Sequence, residues 1–281
     1  MELQICKVAQ GYLAFEARGK GLPIVLIHGF TFDMRTWDAQ VEVLSQFFQV
    51  VRYDLRGFGR SSLPRGPYSH VEDLQVLIQS LSLSAPVLIG LSLGANIALT
   101  YALENPGIVR ALILASPGLP GFAWSEDRPP DAAAAIAKSH GVKAARRFWL
   151  DHQLFASLRR FPSAFARVCR MVQDYSGWHW RGENPTTQAS FIDRLSECTS
   201  PTLVMSGSLD VPGYRQIATK LSRDIPGAVL LTFANAGHVL NEEDPAGFLG
   251  AILDFVGRIS TASKVKPTPV DLRSPDRSLE P

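Results

Sequence analysis

Gly90-Leu91-Ser92-Leu93-Gly94 is the stretch of sequence that decides the fold. An apolar run at residues 86–91 precedes the serine, and a run rich in Ala and Leu follows it at residues 93–103. These runs predict a strand and then a helix. A serine on such a sharp turn needs small residues two positions away on each side, because the turn crowds neighbouring Cβ atoms. The pattern therefore predicts a nucleophile elbow with Ser92 as the nucleophile, in preference to a simple Gly-Ser turn that opens a helix.

Apolar runs alternate with helical periodicity on both sides of the elbow. Besides the strand at 86–91, strands are predicted at 24–27, 49–53, 109–115, 202–205 and 229–233, and helices at 37–47, 73–83, 93–103, 214–221 and 244–258. This alternation is typical of a parallel sheet covered by helices on both faces. Residues 3–8 and 12–17 instead alternate polar and apolar side chains around Gln10-Gly11, which predicts an antiparallel hairpin at one edge.

The alternation is interrupted by residues 118–194, which have helical periodicity and no convincing strand. We interpret them as a helical cap inserted between two strands of one sheet, with residues 1–117 and 195–260 forming the core. A chain of 281 residues with 46% hydrophobic content suits one domain carrying such an insertion. Residues 261–281 contain prolines and charges with few large apolar side chains, and a disordered tail is predicted there.

Composition narrows the possible partners. The net charge is +2, so no global field favours nucleic acid or an anionic membrane. Cys6, Cys169 and Cys198 have no close spacing, which favours reduced thiols and a cytoplasmic protein over a disulfide framework or a zinc site. Residues 1–10 lack the pattern of a signal peptide, and no apolar run reaches the ~18 residues of a membrane-spanning helix. The oligomeric state is not readable from the sequence.

The order of a Ser-acid-His triad on this scaffold indicates where the other catalytic groups lie. The predicted strand at 202–205 runs into a loop that ends at Asp210, and the strand at 229–233 runs into Ala236-Gly237-His238. Both side chains are then expected at the carboxyl edge of the sheet, where Ser92 also lies. Asp210 is predicted to orient His238, the general base. The alternatives are a helix N-cap for Asp210 and an ordinary turn histidine for His238.

The other five histidines compete with His238 for the role of base. His28 comes before Gly29-Phe30-Thr31, upstream of the serine, where we expect it to brace the oxyanion loop. The remaining four are interpreted as polar surface residues: His70, His140, His152 and His179. No pair has the short spacing of a metal-binding helix, so no metal is predicted.

An acyl-transfer intermediate carries a developing oxyanion that needs preorganised N–H donors. We predict that the backbone N–H groups of Phe30 and Leu93 form this oxyanion hole. No cofactor is expected, because Gly57-Phe58-Gly59 lacks the third glycine and the helix-opening position of a dinucleotide fingerprint.

Taken together, these motifs resemble the α/β-hydrolase superfamily and, within it, 3-oxoadipate enol-lactonases and their esterase-like relatives. The resemblance covers roughly residues 10–258, excluding much of the insertion. It is carried by His28-Gly29-Phe30, Arg52-Tyr53-Asp54-Leu55-Arg56-Gly57-Phe58-Gly59-Arg60-Ser61, Pro64-Arg65-Gly66-Pro67-Tyr68, the elbow, Asp210 and Ala236-Gly237-His238. Ala95 stands where a second glycine usually follows the elbow.

The resemblance implies an α/β-hydrolase fold with a mostly parallel eight-stranded sheet and a helical cap. It also implies a serine hydrolase that cleaves a small ester or lactone through an acyl-enzyme. The same triad serves carbon–carbon bond hydrolysis and cofactor-free perhydrolysis, and a non-catalytic receptor of the same fold is an alternative of another class. The resemblance further implies that Asp54, Arg56, Gly57 and Gly59 organise the turn after a strand.

The cap is expected to shape the substrate pocket. Its aromatic side chains Trp149, Phe155, Tyr175 and Trp178 are predicted to bind substrate, with packing against the core as the alternative. Residues 131–183 contain nine Lys or Arg against four Asp or Glu. Such a basic lid would attract a carboxylate-bearing substrate, unless these charges lie on solvated helical faces.

Overall fold

One sheet of eight strands forms the centre of the computed structural model, which describes residues 2–182 and 190–262. The strand order is β1-β2-β4-β3-β5-β6-β7-β8. The strands are β1 (Gln4–Val8), β2 (Gly11–Arg18), β3 (Pro23–Ile27), β4 (Gln49–Tyr53), β5 (Val87–Leu91), β6 (Ala111–Ala115), β7 (Thr202–Gly207) and β8 (Val229–Phe233). Strands β3 to β8 pair in parallel, whereas β2 is antiparallel to both β1 and β4. The predicted α/β-hydrolase fold with its edge hairpin is confirmed.

Ten α-helices accompany the sheet within the described parts of the chain. They are α1 (Asp38–Leu44), α2 (His70–Ser80), α3 (Leu93–Glu104), α4 (Pro129–His140), α5 (Val142–Asp151), α6 (Pro162–Asp174), α7 (Trp178–Arg181), α8 (Pro212–Asp224), α9 (Leu240–Glu243) and α10 (Pro245–Ala262). The predicted start of α2 is three residues too late, because Ser69 caps the helix by accepting from the N–H groups of Val71 and Glu72. No helix among the described residues is long and apolar enough to cross a membrane.

Helices α4 to α7 come between β6 and β7, where the insertion is expected. We call residues 118–194 the cap segment. Residues 183–189 and the predicted tail beyond Ala262 lie outside the described residues. Helix α10 continues to Ala262, past the predicted end of the core at residue 260.

The register of the sheet brings the loops that carry function to one edge. Strands β3, β5 and β6 are buried along their whole length, as expected of central parallel strands. Ile27 pairs with Gly90, and Leu91 pairs with Ala115, so these strands end side by side. The loops after β3, β5, β7 and β8 therefore emerge at the same carboxyl edge.

The turn after β4 is held by buried charged groups. The Asp54 carboxylate accepts from the backbone N–H groups of Met34 and Arg60, each at 2.7 Å. Burial raises the pKa of Asp54 to about 6. The Arg56 guanidinium pairs with Asp73 on α2, where both side chains are nearly inaccessible to solvent. These contacts match the structural role that the sequence resemblance implies for this motif.

Candidate active site

Ser92 occupies the turn between β5 and α3 in a strained conformation. Its φ of 54° and ψ of −106° are unusual for a residue with a side chain, and the residue is buried. A Cβ on Gly90 would overlap the backbone of Gly94 and Ala95, and a Cβ on Gly94 would overlap the carbonyl oxygen of Ile27. Both glycines are thus required by close backbone contacts, as the elbow motif predicts.

Asp210 and His238 lie together at the edge of the sheet where Ser92 emerges. The distance between His238 Nδ1 and Asp210 Oδ2 is 2.9 Å, and both side chains are buried. Because an ionised carboxylate only accepts, Nδ1 carries the proton and Nε2 is left free to accept one. The N-cap of α8 is Val211, which excludes the N-cap interpretation of Asp210.

The loop that carries His238 is held by a carboxylate that the sequence analysis did not identify. Glu243 is buried, and its two oxygens accept from the backbone N–H groups on either side of the imidazole: Gly237 at 2.8 Å and Val239 at 3.2 Å. These bonds restrict the backbone on both sides of His238. The signal in the sequence is a glutamate five residues after the histidine.

Ser92 and His238 line one cavity of about 830 Å³ between the sheet edge and the cap segment. Its wall is largely aromatic, with contributions from Phe30, Phe32, Phe122, Trp124, Trp149, Phe155, Trp180 and Tyr214. A cavity of this size and composition is typical of small-molecule sites.

The predicted oxyanion donors also border this cavity. Phe30 and Leu93 are both lining residues, and neither backbone N–H donates to an acceptor among the described residues. Leu93 is the first residue of α3, so the helix itself leaves this N–H unpaired and its dipole favours an anion there. The two donors are available to a bound oxygen atom.

His28 joins the loop that carries Phe30 to the turn after β4. Its Nε2 accepts from the Leu55 N–H at 2.9 Å, and its Nδ1 therefore donates to the Gly29 carbonyl at 2.8 Å. Burial lowers the pKa of His28 from 6.5 to about 4. The imidazole is consequently neutral at pH 7 and serves as a fixed link between two loops.

Tyr214 is a further residue of the site that the sequence analysis missed. It lies in the first turn of α8, four residues after Asp210, and its ring centroid is 4.2 Å from that of His238. Burial raises the pKa of its hydroxyl, and the nearby Asp210 carboxylate adds to that rise. The tyrosine thus packs against the His238 imidazole and limits its movement.

Of the four cap residues predicted to bind substrate, Trp149 and Phe155 line the cavity and the other two lie away from it. Tyr175 stacks on Phe58 with centroids 5.1 Å apart. Trp178 packs against Tyr68, at 6.1 Å. These two rings join the cap segment to the core, which was the alternative interpretation.

Two of the histidines interpreted as surface residues are buried: His70 and His179. His179 stacks on Phe58 at 4.4 Å, and its two nitrogens face the hydroxyl groups of Tyr68 at 2.7 Å and Tyr175 at 3.0 Å. Burial lowers the pKa of His179 from 6.5 to about 3. The surface interpretation is wrong because the cap segment packs over the ends of the core loops.

The charges at the cavity differ from those expected of a basic lid. None of the nine Lys or Arg in residues 131–183 lines the cavity. Among the residues that the structure describes, the charged lining residues are Glu126, Asp127, Asp131 and Arg128. Arg128 donates to Asp131 at 2.9 Å, so its charge is compensated. All four residues are exposed, so the solvent-facing part of the lining carries a net negative charge, and we call it the acidic entrance.

The chain is similar in sequence and in structure to known proteins. The model of the alpha/beta hydrolase family matches residues 24–251. An uncharacterized protein of Mycobacterium tuberculosis is 30% identical to this chain, in an alignment that covers 89% of this chain and 80% of the relative. An esterase from Thermogutta terrifontis superposes with a TM-score of 0.79 at 26% identity, covering 92% of this chain and 99% of the other. The enol-lactonase from Burkholderia xenovorans has a TM-score of 0.78 at 25% identity, covering 90% and 100%.

Proposed function

The chain belongs to the alpha/beta hydrolase family, and on that basis we propose that it is a serine hydrolase that cleaves a small ester or lactone through an acyl-enzyme. The observation that carries the proposal is the buried His238–Asp210 pair at 2.9 Å, at the sheet edge where Ser92 occupies a strained elbow. The likeness to an esterase and to an enol-lactonase supports the same class of substrate.

The proposed reaction begins when His238 Nε2 takes the proton of Ser92 Oγ as that oxygen attacks the substrate carbonyl carbon. Asp210 holds the imidazole in the required tautomer and stabilises its positive charge. The N–H groups of Phe30 and Leu93 bind the oxyanion of the tetrahedral intermediate. His238 then protonates the leaving oxygen, and a water molecule activated by the same base hydrolyses the acyl-enzyme.

The cavity supports a neutral substrate with apolar or aromatic surface. Its aromatic wall provides apolar contact, and its acidic entrance offers no uncompensated positive charge to a carboxylate. Electrostatic attraction of an anionic substrate, which the cap's basic composition suggested, is not supported by the placement of these charges.

Covalent labelling with a fluorophosphonate, together with a hydrolysis screen of p-nitrophenyl esters and lactones, tests the proposal. We expect labelling and turnover by the wild type and neither by Ser92→Ala, whose folding is checked by circular dichroism. Losing the nucleophile should reduce the rate by several orders of magnitude. A well-folded wild type that binds these compounds without labelling or turnover would instead indicate a non-catalytic receptor.

A further inference from the structure

The loop that presents the Phe30 N–H is a tight turn held at several points. The Phe32 N–H donates to the Gly29 carbonyl at 3.2 Å, which closes a β-turn across Phe30 and Thr31. The same carbonyl accepts from His28 Nδ1 at 2.8 Å. Because a peptide unit is planar, fixing the Gly29 carbonyl also fixes the direction of the Phe30 N–H on the opposite side of that unit.

Thr31 is an unexpected residue in this turn. Its φ is 66°, in the left-handed region where glycine or asparagine is usual at the third position of a turn. A β-branched residue is rare there and carries a conformational cost. Glycine would allow the same backbone without that cost, so the threonine side chain must contribute something that offsets it.

The Thr31 hydroxyl links the turn to the cap segment. Its Oγ1 donates to the Phe30 carbonyl at 2.6 Å and accepts from the indole Nε1 of Trp149 at 2.8 Å. Trp149 lies on α5, and both residues are almost inaccessible to solvent. The Thr31 oxygen accepts the hydrogen bond from the indole N–H, and the Thr31 hydroxyl proton is donated to the Phe30 carbonyl oxygen. One chain of hydrogen bonds thus runs from the cap segment into the turn.

Trp149 and Trp180 are two cap residues that make comparable contacts with the Phe30 ring. The centroids of Trp149 and Trp180 lie 5.9 Å and 6.2 Å from that of Phe30. The Trp180 indole N–H is buried and has no acceptor among the described residues. The two tryptophans therefore differ in one respect that matters here: only the Trp149 indole N–H bonds to the turn.

From these contacts we infer that Trp149 and Thr31 are positioning residues that hold the oxyanion loop in its strained conformation and so aim the Phe30 N–H at the reacting oxygen. The inference rests on the proposed acyl-transfer function for its catalytic consequence. It gives Trp149 a role beyond the predicted one of lining the pocket. The contact between α5 and the turn thus couples the position of this cap helix to the geometry of the predicted oxyanion hole.

Trp149→Phe tests this inference by deleting the indole N–H while retaining an aromatic ring, and Trp180→Phe is the matched control for the loss of ring size. We expect Trp149→Phe to lower kcat by ~10- to 100-fold with little change in KM. A Phe30 N–H that points away from the oxyanion stabilises the transition state less, whereas binding of the substrate depends little on it. The affinity for a boronic acid that forms a tetrahedral adduct with Ser92 should fall in proportion. Trp180 also lines the cavity, so Trp180→Phe can change KM, but its losses of kcat and of boronic-acid affinity should be smaller than those of Trp149→Phe.

Variants of Thr31 separate positioning from packing. Thr31→Val removes the hydroxyl at constant shape and should reproduce the kinetic defect of Trp149→Phe, whereas Thr31→Ser should restore most of the activity. The double variant Thr31→Val/Trp149→Phe should be no slower than the slower single variant, because both changes break one chain of hydrogen bonds. Additive losses, or equal losses in Trp149→Phe and Trp180→Phe, would contradict the inference.

Hydrogen–deuterium exchange of residues 28–32 provides a readout that does not depend on catalysis. Exchange should accelerate in Trp149→Phe and Thr31→Val but not in Trp180→Phe. If exchange responds in this way while the wild type hydrolyses no ester, the proposed function fails and the coupling stands. If the wild type is active and exchange is the same in all variants, the coupling is refuted and the proposed function stands.

Discussion

At the scale of single residues, the choice of Asp210 as the acid makes a sharp prediction. Asp210→Asn should preserve the fold but lower kcat/KM by roughly 10⁴, because an amide facing Nδ1 favours the wrong imidazole tautomer. The controls are Asp174→Asn, whose carboxylate binds Arg35 at an exposed site, and Asp193→Asn, which is also exposed. Steady-state kinetics with one activated ester measures kcat/KM for the wild type and the three variants. A severe loss in a control, with less than a tenfold loss in Asp210→Asn, would place the acid elsewhere.

At the scale of secondary-structure elements, the packing of β5, α3 and β3 depends on one missing Cβ. Gly94→Ala should reduce the free energy of unfolding by about 3 kcal/mol or more, because the added methyl overlaps the rigid backbone oxygen of Ile27. Gly250→Ala in α10 is the control, since a Cβ there meets no atom within 4 Å. That change should stabilise the protein by up to about 1 kcal/mol. Denaturant unfolding measures both values, and equal effects would argue against the close packing at the elbow.

The segment that leads from β6 into α4 also gives a prediction at this scale, because it carries the acidic entrance. Glu126→Gln/Asp127→Asn should raise kcat/KM for an anionic ester about two- to fivefold relative to its neutral isostere, with the gain shrinking as salt is added. The glutamine retains an oxygen for the Gly213 N–H, which donates to Glu126 at 3.1 Å. Neutralising Lys138 and Lys143, which do not line the cavity, is the control. An unaltered ratio of rates in the acidic variant would show that the entrance charges do not select substrate.

At the scale of the whole molecule, His179 joins the cap segment to the core from a buried position. Because burial lowers its pKa from 6.5 to about 3, the unfolded chain takes up a proton at pH values where the folded protein does not. The stability that neutral His179 contributes is therefore complete above pH 6.5 and is lost as the pH falls toward 3. His28 and His70 are buried neutral for the same reason, and Asp54, whose pKa is raised, acts in the opposite direction.

His179→Gln isolates this contribution from the other titrating groups. The amide retains hydrogen-bonding groups for Tyr68 and Tyr175 but does not titrate. We expect the difference in unfolding free energy between wild type and variant to decrease with falling pH, by up to about 1.4 kcal/mol per pH unit between 6.5 and 3. Chemical denaturation at a series of pH values measures this difference. Parallel stability curves would show that His179 has the same proton affinity in both states.

Most of the fold was predictable from local sequence, because its signals are local. Apolar runs such as residues 24–27 and 229–233 specify strands by their own composition, and the elbow requires glycine at two positions for steric reasons that hold in any context. The order of the triad then restricts Asp210 and His238 to loops at one edge. The observed pairing of Asp210 with His238 agrees with that prediction, and their catalytic role stays a proposal.

The missed residues of the site share a different property. Tyr214 and His179 acquire their roles from neighbours far away in the chain, such as His238 and Phe58, and nothing in their immediate sequence signals burial. The same applies to the charges of the cap segment, whose overall basic composition says nothing about which side chains turn inward. The two carboxylates of the acidic entrance that have no paired cation among the described residues, Glu126 and Asp127, lie just before the counted range of residues 131–183.

The sequence by itself determined the class of the fold, the position of the elbow and the edge of the sheet at which the predicted triad meets. Those features follow from steric limits and hydrophobic periodicity, which act over a few residues. The tertiary structure alone decided which cap rings face the cavity, which charges surround its entrance and how Trp149 reaches Thr31. These depend on the direction in which one packed segment faces another, and that direction is set by the combined burial of many side chains rather than by any local pattern.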